Sequence, residues 1–259
     1  MRNILLTISY DGTRFCGWQR QDTSAQGRPV RTVQAELETA LARLHKRAVA
    51  LHGSGRTDSG VHAAAQAANF LSPIDSVPVS KYPVALNCLL PDDIRVMQAR
   101  VVEDSFNARF SATSRTYRYF ISHGGRIPLA TQMPYRWCVA HKPDIANLNA
   151  MAACLRGEMD CATFAASGDQ SRSTCRYIEG ARFFEQDDAL VFEIAANAFL
   201  WRMVRSITGS LIYFDKSKRD ADFFRGILNA RDRRLAGPTA PAKGLFLWSV
   251  SFDGVRRHV

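Results

Sequence analysis

"HGSGRTDSGVHAAAQAANFL", His52 to Leu71, joins a run of glycine, serine and threonine to an apolar stretch. The first part is built to make a loop, and it carries a single carboxylate, Asp58. The second part reads as a strand, with a helix as rival because of its alanines. A loop handing its chain to a regular element is where function often sits, because the element holds the loop in place.

Outward from this stretch the chain alternates strand and helix signals. Asn3 to Tyr10 alternates apolar and polar residues and stops at Asp11-Gly12, as a strand does before a turn. Gln19 to Arg31 is polar and reads as a loop. Val33, Leu37, Leu41 and Leu44 recur at helical spacing, with Thr32 as the expected N-cap and Glu36 and Glu38 near the positive end of the helix. A short strand is expected around Ala48 to Leu51. "LNCLLPDDIRV" predicts a helix ended by Pro91 and a strand from Ile94. "SRTYRYFIS" predicts a strand by its β-branched and aromatic content. Leu148, Met151, Ala152 and Leu155 mark a helix closed by Gly157, and Leu190 to Ala195 a strand. Leu200, Met203, Val204, Ile207 and Leu211 form the apolar stripe of a long helix. A shorter helix near Asp222 to Leu228 and a last strand, "LFLWSVSF", follow. The expected class is α+β, in two similar halves.

The totals bound what such a fold would do. The 259 residues carry 34 basic and 24 acidic side chains, a net charge of +10, which points to a polyanionic partner such as nucleic acid or, less naturally, an acidic membrane surface. Arginine accounts for 28 of the 34, and its planar fork suits phosphates. A GC-rich genome would also favour arginine over lysine, but not an excess of bases over acids. Residues 1–105 hold 12 basic and 10 acidic residues and residues 106–259 hold 22 and 14, so the second half should carry more of the phosphate contact. None of the six cysteines forms a C-x-x-C pair, so no zinc ribbon or thioredoxin-like site follows from their spacing. The opening apolar run is too short for a secretory signal and no stretch approaches a membrane span, which predicts a reduced, cytoplasmic protein without membrane attachment.

Three uses of the loop compete. Gly55 to Gly60 fits G-x-x-x-x-G, but a phosphate-binding Walker loop needs Lys and then Ser or Thr next, and Val61 and His62 stand there. His52, Asp58 and His62 match no metal-ligand spacing. The third is a carboxylate at the tip of a tight turn, where glycine permits unusual backbone and close approach. An aspartate that merely holds a turn by accepting backbone hydrogen bonds is the plain alternative.

Further clusters lend weight to the third. "FNARFSATSRTYRY" places Arg109, Arg115 and Arg118 among Phe106, Phe110, Tyr117 and Tyr119, the interleaving expected of a surface that grips phosphates and stacks a base. On a strand Tyr117 and Tyr119 share one face, so one of them is placed to reach a base. The alternative puts both tyrosines in the core and leaves the arginines solvated. "GDQSRSTCR" offers a polar loop with Arg172 and Arg176. Arg202 and Arg205 stand three apart on a largely apolar helix, so at least one guanidinium lies near buried surface and needs an anion, which an aspartate would supply.

With these residues assembled, the chain resembles the tRNA pseudouridine synthase A family, usually called TruA. The resemblance runs through "YDGTRFCGWQRQ", "TVQAELETAL", "GRTDSGVHA", "LNCLLPDDI", "FNARFSATSRTYRY", "QSRSTCR", "ANAFLWRMVRSITG" and "TAPAKGLFL", in the family's order. It implies the pseudouridine synthase fold: two similar α/β halves with mostly antiparallel sheets around a central RNA-binding cleft, residues 1–105 carrying the catalytic loop and residues 106–259 completing the cleft. It further implies isomerisation of uridine at nucleotides 38, 39 and 40 in the anticodon arm of tRNA, by a homodimer, with no metal and no organic cofactor. By the same resemblance Asp58 is the catalytic carboxylate, and Tyr117, Arg205 and Leu245 bind the substrate nucleotide. Arg56, Phe106, Asn107, Ala108, Arg109, Phe110, Gln170, Ser171 and Arg172 would contact RNA. Three departures stand out: Ser59 where the family usually has alanine, a longer loop at "QDTSAQGRPVRT", and "YFDKSKRD" in place of a glycine-containing turn.

Overall fold

The alternating run at the start of the chain forms β1 (Arg2–Tyr10), and the stretch after the Asp58 loop is a strand as well. The structure, a computed structural model, describes residues 1–21, 23, 27 and 30–257. Within the longer loop "QDTSAQGRPVRT", positions 22, 24–26, 28 and 29 lie outside the described residues. The chain divides into two units, Met1–Ala112 with Leu247–Gly254, and Thr113–Phe246 with Val255–Val259.

In the first unit β1 lies between β3 (His62–Ser72) and β4 (Ile94–Val102) and is antiparallel to both. The short β2 (His52–Gly53) pairs with β3, and β10 (Leu245–Ser251) is a neighbour of β3 too. The register sets Ile4 opposite Phe70 and, one residue on, Leu5 opposite Asn69, so neighbouring residues along β1 face opposite sides. On the Ile4 and Phe70 side pack α1 (Val33–His45) and α2 (Tyr82–Asn87). The rings of Phe70, His45 and Tyr82 lie 5.6 to 5.8 Å apart there. Val33, Leu37 and Leu41 are fully buried, each worth about 1.5–3 kcal/mol relative to exposure. On the opposite side Leu5, Ala67 and Ala108 form a cluster with Val102, Phe106, Val250 and Phe252.

In the second unit β5 (Ser114–Ser122), β9 (Ala189–Ala196), β8 (Cys175–Gln186) and β7 (Gly157–Asp160) pair in that order, each antiparallel to the next. β6 (Trp137–Cys138) runs parallel to β5. Three helices complete the unit: α3 (Ile145–Ala153), α4 (Met203–Lys216) and α5 (Ala221–Ala230). Asn149 of α3 locks onto the sheet, since its amide donates to Phe183 O at 3.0 Å and accepts from Phe183 N at 2.7 Å. Both units are mixed α/β with mostly antiparallel sheets, the fold class that the sequence implied.

Several local expectations need correction. Thr32 is the N-cap of α1 as expected, although its hydroxyl makes no cap bond and the first helical N–H groups go to the carbonyls of Gly17 and Trp18 at 3.2 and 3.0 Å. The strand expected over Ala48 to Leu51 begins only at His52, since Leu51 N–H bonds to the Glu38 carboxylate instead of a ladder partner. The helix expected up to Pro91 ends at Asn87, whose side chain turns to the edge of β4 and pairs with both Val96 N and Val96 O. β8 had no strand signal. Its register slips between Ile178 and Gly180, which breaks the two-residue period.

The departure at "YFDKSKRD" is accommodated after α4 by Lys218 in the left-handed region, φ 57°. Asp215, buried in the last turn of that helix, accepts from Asp144 N–H at 3.2 Å and from the Asn147 amide at 3.1 Å.

Candidate active site

Asp58 sits on a four-residue turn closed by Val61 N–H on Asp58 O at 3.1 Å. Gly60, third in that turn, has φ +77°, a conformation that favours glycine. The turn is clamped from one side by the segment that follows β1. Thr57 O accepts from Trp18 N–H at 3.1 Å, and the Thr57 hydroxyl bonds to Tyr10 OH at 2.8 Å. Phe15 O accepts from Gly60 N–H at 3.3 Å and from the Ser59 hydroxyl at 3.2 Å. Gly17 makes this approach feasible: with φ +93°, it brings its backbone so near that a β-carbon would lie 2.6 Å from Thr57 O. Gln66, wholly buried, grips the loop from behind through the Ser54 hydroxyl at 2.7 Å and Gly55 O at 2.8 Å.

These bonds hold the loop from both sides. Asp58 is half-buried, Thr57 is buried and Arg56 is exposed. His62, which sequence spacing kept apart from any metal pattern, is fully buried and takes Gly12 N–H on its Nδ1 at 3.0 Å.

The other proposed RNA contacts of the first unit lie on a turn after β4. Asn107 Oδ1 accepts from the N–H groups of Arg109 and Phe110 at 3.0 and 3.2 Å. Asn69 reaches in from β3, accepting from Ala108 N–H at 2.8 Å. Arg109 and Phe110 are exposed, Phe110 by 57%, with the guanidinium 5.6 Å from the ring centroid. Ala108 is wholly buried and Phe106 packs against Phe252 at 5.0 Å, so these two shape the turn from inside.

In the second unit the two tyrosines share a face, as strand geometry requires, yet differ in state. Tyr119 is fully buried and donates to Pro241 O at 2.6 Å. Burial drives its phenol pKa well above the usual tyrosine range, against the opposing charge of Arg205. Tyr117 keeps 8% exposure and meets Phe199 edge to face at 5.1 Å. Arg205, in the first turn of α4, exchanges two bonds with Ala240: its Nε donates to Ala240 O at 2.9 Å and its carbonyl accepts from Ala240 N at 3.0 Å. The segment that follows carries Pro241, which holds Tyr119, and reaches the buried Leu245 at the start of β10. The fold thus ties Arg205, the tyrosine strand and the Leu245 segment together within one unit.

Arg115 and Arg118 serve the sheet. Arg115 donates to Asn197 O at 2.6 Å, and Arg118 pairs with Glu193 at 2.7 Å. Arg176, read as part of a polar loop, is a buried β8 residue holding the carbonyls of Ser173 and Cys175. Gln170, Ser171 and Arg172 are exposed. What fixes their loop is Asp169, which sequence reasoning missed: its carboxylate accepts from Ser171 N–H at 2.8 Å and from the N–H of Trp201, just ahead of the Arg205 helix. Burial opposes ionisation of Asp169, but hydrogen bonds from Ser171 and Trp201 outweigh it and hold the carboxyl below its ordinary pKa. The Asp-x-Ser pattern was the available signal, since Asp commonly accepts from the N–H two residues on.

Among the described residues no helix is long and apolar enough to cross a membrane. Exposed arginines stand on loops of each unit, Arg56 and Arg109 in the first and Arg172 in the second, as a partner rich in phosphates would require. The family model for "tRNA pseudouridine synthase" matches residues 6–111 and 151–253. A protein named tRNA pseudouridine synthase A from Treponema denticola is 55% identical over 97% of this chain and 93% of its own length. Proteins of the same name from Treponema pallidum (strain Nichols) and Bacillus subtilis are 49% identical over 92% of this chain and 84% of their own, and 41% identical over 95% and 98%. This chain belongs to the tRNA pseudouridine synthase family. The reaction of that family is the isomerisation of uridine in tRNA.

Proposed function

We propose that this chain isomerises uridine to pseudouridine at nucleotides 38, 39 and 40 in the anticodon stem-loop of tRNA, with Asp58 as the catalytic carboxylate. The observation that carries this reading is the placement of Asp58: half-buried, on a turn whose other hydrogen bonds are already made by Thr57, Ser59, Gly60 and Val61.

The chemistry breaks the bond between uracil N1 and the ribose C1′, turns the base, and joins C5 to C1′. The C5 proton leaves and N1 ends protonated, so atoms balance without a redox partner. The base must be out of the stack while this happens. Asp58 must be ionised to attack the sugar or ring or to take a ribose proton. Arg205 is assigned the countercharge, Tyr117 the stacking face for the uracil, and Leu245 the apolar border of the nucleotide. The choice of Tyr117 over Tyr119 is supported by the commitment of the Tyr119 hydroxyl to Pro241. Arg56, Asn107, Arg109, Phe110, Gln170, Ser171 and Arg172 are assigned to RNA contact. The remaining two, Phe106 and Ala108, are assigned to the turn that presents Arg109 and Phe110. The first unit thus carries the catalytic loop and the second the groups that hold the nucleotide. By the resemblance noted above, the working form is a homodimer with no metal or organic cofactor; the cytoplasm is assigned from the sequence signals alone.

Asp58→Asn tests the assignment. Pseudouridine formed in an unmodified tRNA transcript, mapped by nucleotide, should fall at least a thousandfold while tRNA binding is kept. Normal turnover by the variant would remove the catalytic role. Product found outside nucleotides 38 to 40 would remove the substrate position and leave the chemistry standing.

A further inference from the structure

We propose that Gln19 and Gln34 are positioning residues that hold the Arg56 guanidinium for RNA, through a chain of amides whose polarity is set by Glu38. The proposal rests on the reading of Arg56 as an RNA contact.

The chain starts at α1. Glu38 accepts only, and its Oε1 takes a hydrogen bond from Gln34 Nε2 at 3.1 Å. Leu51 O, also an acceptor only, takes a second from the same Nε2 at 3.0 Å. The NH₂ end of Gln34 must therefore face Glu38 and Leu51. Its oxygen then faces the other way, where Arg20 N–H, a donor only, bonds to it at 3.0 Å. Three neighbours with fixed roles thus agree on one orientation of the Gln34 amide.

That orientation passes to the next residue. Gln34 Oε1 can accept but not donate, so Gln19 must turn its own NH₂ toward it, and does so at 2.9 Å. The Gln19 oxygen is left pointing to Arg56, whose Nε donates to it at 3.2 Å. A guanidinium is planar, so engaging Nε fixes the plane of the whole fork. Arg56 stands two residues before Asp58, on the same loop. Glu38 is further held by Arg20 at 3.1 Å and by Leu51 N–H at 3.2 Å, so the starting point of the chain is anchored on both oxygens. An exposed arginine loses much rotamer freedom on binding a phosphate, and a preset fork has less to lose.

The test measures dissociation constants for an unmodified tRNA transcript at one fixed salt concentration, with thermal unfolding as a control on folding. Arg56→Ala should weaken binding. Gln34→Leu and Gln19→Leu should each weaken it by about fivefold to tenfold, the worth of one hydrogen bond to a charged group on a partly exposed site. Added to Arg56→Ala, either leucine variant should cause no further loss, because its effect acts through that side chain. Full additivity with Arg56→Ala, or wild-type binding by both leucine variants while Arg56→Ala is weak, would overturn the proposal. Arg56→Ala binding as tightly as the original would overturn it by a different route, by removing Arg56 from RNA contact. If Gln34→Leu unfolds, Gln19→Leu, at the other end of the pair, carries the same comparison.

Discussion

The Tyr119 hydroxyl donates to the carbonyl of Pro241 at 2.6 Å, from a ring with no exposed surface. Two residues away on the same face, Tyr117 retains a little exposure. Substitution should tell their roles apart. Tyr119→Phe leaves a carbonyl without its donor and should cost about 1–3 kcal/mol of stability in urea titration, with turnover kept at low temperature. Tyr117→Ala removes the proposed stacking face and should lower turnover on tRNA. Unchanged stability of Tyr119→Phe, or full turnover by Tyr117→Ala, would count against these roles.

Gly17 and Gly55 flank the same loop and should answer differently to alanine. At Gly17 the new β-carbon would lie 2.6 Å from Thr57 O on a backbone with φ +93°, so the clamp on the Asp58 turn must shift. A loss of roughly 2 kcal/mol or more, with reduced turnover, is expected of Gly17→Ala. At Gly55 nothing lies within 4 Å of the added carbon, and Gly55→Ala should stay within about 1 kcal/mol of the parent. Thermal unfolding and turnover on tRNA, measured together, check both.

Asp169 makes the 169–172 loop sensitive to acid. Its folded-state pKa is depressed, so its contribution is present above the unfolded value and fades as pH falls through the folded one. Stability should decline from about pH 4 downward, and Asp169→Asn should remove that part of the decline. Urea titrations of parent and variant at pH 7 and pH 3 decide it. A variant whose stability difference from the parent is the same at both pH values would show that Asp169 is not the group responsible.

Arg31 anchors the start of α1 to the turn before β4 and to the segment after β1. It grips Asp93 with both Nη atoms at 2.6 and 2.9 Å, Glu36 through Nε at 2.6 Å, and lies 4.2 Å from the centroid of the Phe15 ring. Lysine cannot reproduce a fork held on two carboxylates. Arg31→Lys should cost about 1–2 kcal/mol in urea titration, and because Phe15 O holds Ser59 and Gly60, turnover should fall with it. A neutral result would show that Phe15 keeps its place without the Arg31 fork.

Much of the fold was legible because its signals are local. β5 coincides with "SRTYRYFIS", and the apolar stripes placed α1 and α4. Where reading failed, a distant partner decided the outcome. Asn87 ends α2 by pairing with Val96, and Glu38 draws Leu51 out of a ladder, pairings across elements that no helical or strand period marks. The site showed the same division. The Asp58 turn was evident from its glycines, whereas the work of Arg115 and Arg118 depended on Asn197 and Glu193, far along the chain. Basic residues among aromatics look alike in sequence whether they hold a sheet or await a phosphate.

β10 has a consequence for how the protein is made. Leu247–Ser251 completes the sheet of the first unit beside β3, although 134 residues of the second unit separate it from Ala112. During synthesis the first unit emerges from the ribosome with the outer edge of β3 paired only by the two residues of β2, and it must wait for almost the entire chain before that edge is closed. A nascent fragment stalled near residue 112 should therefore be a target for chaperones, and no independently expressed piece ending there should behave as a finished domain.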